Sequence, residues 1–74
     1  MTASQTQEFM DQIGFSAGEV YQYLNSNGTS TVSKIKKDLD LKGNFAEMAI
    51  GWLARENKVS MSKKGSSVNV TLND

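Results

Sequence analysis

The sequence has no cysteine, no histidine and no proline among its 74 residues. Without thiols it can form neither a disulfide nor a thiolate metal site. Without imidazole it also loses the commonest transition-metal ligand and the usual acid–base catalyst. No apolar run approaches the length of a signal core or a membrane span, and the first eight residues are polar without a base. There are no internal repeats and no low-complexity tract. A soluble cytoplasmic protein without metal, cofactor or membrane partner is the expectation, and absent cysteine fits that compartment. Enzyme chemistry finds no support. The acids are scattered, no nucleophile has an adjacent base, and Gly14 and Gly18 in a helix and Gly65 in a hairpin are the wrong context for a phosphate loop.

What is present is a small balanced chain, near the lower size limit for folding without staples. Eight basic residues offset eight acidic ones, but unevenly. Residues 1–31 hold Glu8, Asp11 and Glu19 and no base, whereas residues 32–74 hold all eight bases against five acids. That asymmetry points to a basic face.

The stretch Asn44–Val59 organises the rest. Asn44 and Glu47 have capping-box spacing, and Asn57 can take the left-handed conformation that ends a helix. On the helical wheel Ala46, Ala49, Ile50 and Leu53 form one apolar arc, opposite Glu47, Gly51, Ala54 and Arg55. Upstream, a flexible segment over residues 1–10 is expected to precede the domain at residues 11–74. Ile13, Ala17, Val20, Tyr21 and Leu24 fall at helical spacing, giving a helix from about Asp11 or Phe15 to Ser26 with Gly28 as its cap. Gly14 and Gly18 weaken that helix, which predicts close approach of another element.

Thr29–Val32 reads as an extended link or a short edge strand near Thr31. Thr31 or Ser33 can cap a second short helix carrying Val32, Ile35 and Leu39. Asp40–Gly43 is a tight turn with Leu41 inward. After Val59 the period changes to two, and Val59 and Met61, then Val68, Val70 and Leu72, predict a β-hairpin around a Lys63–Ser67 loop. The sum is an α+β winged helix-turn-helix: three helices and a C-terminal two-stranded wing. Its predicted core is Ile13, Val20, Leu24, Ile35, Leu39, Leu41, Ile50, Leu53, Val59, Val70 and Leu72.

Ala17 and Gly18 with Tyr21 and Leu24, then Ala49 through Glu56 followed by Lys58, carry a family likeness. Over roughly residues 13–72 the chain resembles small free-standing winged helix-turn-helix proteins of bacteria and archaea, of unknown function. Tyr21 stands where that family would have Trp. The resemblance implies the fold and transfers no activity.

Three sets of residues are candidates for function. Lys34, Lys36, Lys37, Lys42, Lys63 and Lys64 can contact phosphates of double-stranded DNA, or serve only as solvated charge. Asn44 and Arg55 are the base-reading candidates on the third helix, a face otherwise poor in cations and burdened by Glu47. Phe45, Met48 and Trp52 form a second apolar stripe, which with Gly51 is either covered by Phe9, Met10, Phe15 or the wing, or is a protein–protein or homodimer surface. The reading that follows is a non-enzymatic DNA-binding, transcription-regulator-like module. Its alternative is a protein-interaction module using the exposed face of helix three.

Overall fold

In the computed structural model, which describes residues 3–73, the order is α1 (Ala3–Asn27), β1 (Ser30–Thr31), α2 (Val32–Asp38), α3 (Phe45–Arg55), β2 (Val59–Lys64) and β3 (Ser67–Leu72). The strands form one antiparallel sheet in the order β1-β3-β2. The short edge strand next to Thr31 is therefore real, and it places β3 at the centre. Ser30 sits opposite Val70, and Val59 opposite Leu72.

α1 opens at Ala3, not near Asp11 or Phe15, so residues 3–10 are helical where a flexible lead was expected. Residues 1 and 2 of that lead lie outside the described residues. No glycine or proline interrupts the chain before Gly14, but the first turns are too polar to show a helical period. Its 25 residues rise about 37 Å, which accounts for the 40 Å long dimension of the molecule.

Each helix end has a local cause. Gly28, at φ 78°, donates its N–H to the Leu24 carbonyl at 2.8 Å and closes α1. The Thr31 hydroxyl accepts from the Lys34 N–H at 3.1 Å and starts α2. Asp40, at φ 52°, ends α2. The Leu41 N–H then bonds the Lys36 carbonyl and half-buried Leu41 folds onto the core. Asn57, at φ 65°, ends α3 the same way, with the Lys58 N–H on the Leu53 carbonyl at 2.9 Å. The predicted capping box at the other end of α3 does not form. The Asn44 backbone, at ψ 14°, is outside the extended region a capping side chain needs, and its amide makes no cap bond.

One core lies where α1, α2, α3 and the sheet converge. Val20, Leu24, Ile35, Ile50, Leu53, Val59 and Val70 are buried, joined by Ala17, Ala46 and Ala49. The alanines let α1 and α3 lie close. Leu39, Leu41 and Leu72 are only partly buried against this cluster, and Ile13 is half-buried, because they sit at its rim. The close approach predicted at Gly14 and Gly18 is absent. A Cβ at either would meet no atom within 4 Å.

The hairpin is tighter than the sequence suggested. β2 runs through Lys64 and β3 begins at Ser67, leaving only Gly65 and Ser66 as the loop, with Gly65 at φ 62°. Lys63 pairs with Val68 and Lys64 with Ser67. At its open end, Asn73 closes the ribbon. Its N–H donates to the Lys58 carbonyl at 2.9 Å, its amide donates to the Asn57 carbonyl, and its Oδ1 accepts from Ser60.

Candidate nucleic-acid interface

The eight cations divide by what already holds them. Lys34 Nζ bonds Asp38 Oδ2 at 3.0 Å, one helical turn along α2. The Tyr23 hydroxyl donates to the same oxygen at 2.6 Å, tying α1 to α2. The Tyr23 hydroxyl first, and then the Lys34 ammonium, hold the Asp38 carboxyl below its ordinary range, while Asp38 raises Lys34. Lys36 reaches Glu47 at 3.3 Å, Lys42 reaches Asp40 at 3.8 Å and Lys58 reaches Glu56 at 3.5 Å. All four pairs are exposed, a setting in which an ion pair contributes about 0–1 kcal/mol.

Lys37, Arg55, Lys63 and Lys64 have no ion pair among the described residues. Half of the six lysines singled out for phosphate contact are thus spoken for within the chain, and Lys37, Lys63 and Lys64 are not. The i, i+4 spacing of Lys34 and Asp38 was readable in the sequence. The Lys36–Glu47 pair spans eleven residues and needs the turn to be known. The Tyr23 contribution had no signal at all.

Lys63 and Lys64 are consecutive residues of a strand, so their side chains leave opposite faces of the ribbon. Lys63 follows Val59 and Met61 on the face that buries Val59. Lys64 follows Ser60 and Ser62 on the other. With the two-residue tip beyond them, the wing ends as a thin blade carrying one ammonium on each side.

On α3 the exposed residues are Glu47, Gly51, Trp52 and Arg55, with Asn44 exposed just before the helix and Met48 half-buried beside them. Because Asn44 caps nothing, its amide is free at the N-terminal end of the helix. The second apolar stripe is covered at one end only. The Phe9 ring packs on Phe45 with centroids 5.4 Å apart, whereas Trp52 remains 39% exposed and Phe15 71% exposed. Among the described residues no group of acids is arranged to hold a metal ion, and no helix is long and apolar enough to cross a membrane.

A helix, an edge strand, two helices joined by a tight turn, and a two-stranded ribbon on one sheet make a winged helix-turn-helix. The sequence comparison agrees: a family model described as Winged helix-turn-helix domain (DUF2582) matches residues 6–72. The chain belongs to this family. The match takes in nearly the whole of α1 and ends with β3, so the family unit and the fold coincide. The chain is also similar to the uncharacterized protein MJ1608 of Methanocaldococcus jannaschii, 40% identical over 60 residues that cover 77% of this chain and 84% of the relative. No solved structure matches the chain significantly.

Proposed function

We propose that this winged helix-turn-helix protein is a non-enzymatic, cytoplasmic DNA-binding module of transcription-regulator type, and that it holds DNA first by its wing. The observation that carries the reading is the pair Lys63 and Lys64. They are exposed, have no ion pair among the described residues, and stand on opposite faces of a ribbon whose tip is exposed throughout. A blade of that kind, edge-on in a groove, turns one ammonium toward the phosphates of each strand. Contacts of this kind position the domain on the duplex without reading its sequence.

Lys37 is the third free phosphate contact. Lys34, Lys36 and Lys42 contribute less, since each must give up a carboxylate to take a phosphate. Base reading falls to the free Asn44 amide at the N-terminal end of α3, a group of the type that pairs with adenine, and to Arg55. With so few free cations, binding to random duplex is weak, about micromolar or poorer at physiological salt. Amide chemical shifts recorded while duplex is added test the arrangement. Residues 62–67 shift first and most. Shifts confined to α1 would overturn it.

A further inference from the structure

Gly14, Gly18 and Gly51 stand inside helices on the outer surface, and a Cβ at any of them would meet open space. Each weakens its helix, and within one chain nothing gains from the missing side chain. The three share one surface. Gly14 and Gly18 floor a valley walled by Phe15 on one side and by Tyr21 and Trp52 on the other. Gly51 lines the adjoining hollow with Ile13, Met48 and Trp52. Backbone without side chains, between aromatic walls, is shaped for another helix to lie against it.

We propose that this α1/α3 valley is the contact surface of a twofold homodimer, with α1 of the second copy lying antiparallel across Gly14 and Gly18. Charge selects a second copy as the occupant. α1 carries Glu8, Asp11 and Glu19 and no base, while the α3 end of the valley carries Arg55, which has no ion pair among the described residues, beside the mutually paired Lys58 and Glu56. α1 and α3 run in the same sense, with Phe9 beside Phe45 and Tyr21 beside Trp52 and Glu56. An antiparallel copy therefore brings the acidic first half of its α1 to the Arg55 end. A twofold axis repeats the match on the other side. An unlike acidic helix would satisfy the valley once, whereas a second copy both supplies the acid and receives it.

The area is also of the right order. Phe15, Tyr21 and Trp52 are 71%, 38% and 39% exposed, so they alone offer about 300 Å². A standard interface takes roughly 800 Å² from each partner, and the valley floor, Met48 and the charged rim extend the contact toward that. Trp and Met are residues that interfaces favour. The dimer contact shares Arg55 with the proposed base reading, and its test contains no nucleic acid, so the two can fail separately.

Sedimentation equilibrium of the full chain over a wide concentration range is the experiment. The expected weight is that of two 8.1 kDa chains. Gly18→Gln puts a long side chain on the valley floor. It is expected to weaken the dimer at least about tenfold, with helical circular dichroism intact because the single chain has room for it. Arg55→Glu alone is expected to weaken association, and Arg55→Glu with Glu8→Arg to restore it. That rescue separates a contact from simple unfolding. A parent that sediments as one chain throughout overturns the proposal and leaves the valley to an unlike partner. A Gly18→Gln variant as dimeric as the parent, or a charge exchange without rescue, overturns it as well.

Discussion

Lys36 and Glu47, eleven residues apart, meet across the helix-turn-helix, with Lys36 Nζ donating to Glu47 Oε2 at 3.3 Å. The pair spans the turn from α2 to α3 and cancels a positive charge at the place where such a motif usually meets phosphate.

Removing the acid should therefore strengthen DNA binding. Glu47→Gln is expected to raise affinity for random duplex and to steepen its salt dependence by about 0.9 in the log–log slope, as Lys36 becomes free for one phosphate. Stability should fall by no more than about 1 kcal/mol, since both side chains are exposed. Unchanged affinity in an anisotropy titration would place Lys36 away from the duplex.

The core makes a sterner demand. Leu53 is 3% exposed, among Ala17, Val20, Ile50 and Val59 in the central cluster. Leu53→Ala should cost about 2–5 kcal/mol, a large part of what a domain of this size possesses. Thermal denaturation followed by circular dichroism checks it, and a midpoint near the parent's would mean that α3 buries a different face.

Gly28 tests the capping account. Its φ of 78° suits glycine, and its N–H closes α1 on Leu24. Gly28→Ala should destabilise the protein by about 1 kcal/mol through strain alone, because a Cβ there meets no neighbour. Equal stability in urea would show that the turn relaxes without penalty.

Asp38 gives the pH dependence its sign. Tyr23 and Lys34 lower its folded-state pKa below the unfolded value. Its contribution is thus complete above the ordinary carboxylate range and is lost as pH falls through the lowered folded value. Asp38→Asn should be less stable than the parent near neutrality. The difference should shrink as pH falls below the ordinary carboxylate range. A difference that stays constant with acidification would remove the strap between α1 and α2 from the account.

Much of this molecule was legible before any coordinates. The arc of Ala46, Ala49, Ile50 and Leu53 and the left-handed stops at Gly28 and Asn57 follow from helical periodicity and backbone preference, which act over a few residues. So does the alternation from Val59 to Leu72. The start of α1 was missed because a helix that is polar all round leaves no periodic trace. Asn44 carried the composition of a cap but not the backbone angles, which the preceding turn decides. Gly14 and Gly18 looked like points of close packing, and within the chain they are open. The ion pairs reduced the candidate interface most. Six lysines look alike in a sequence, and only the turn from Asp40 to Gly43 brings Glu47 to one of them. The strand register made the last distinction, setting Lys63 and Lys64 on opposite faces where a loop would have left them together.

The salt dependence of DNA binding tests the wing most directly. Anisotropy titrations of a random duplex, from low to physiological salt, should give a log–log slope that falls in magnitude by about two when Lys63 and Lys64 are both replaced by Ala. Each single replacement should account for about one of the two, and stability should hardly change, since both residues are exposed. The same slope for parent and double variant, or no binding by the parent even at low salt, where attraction is least screened, would contradict the account.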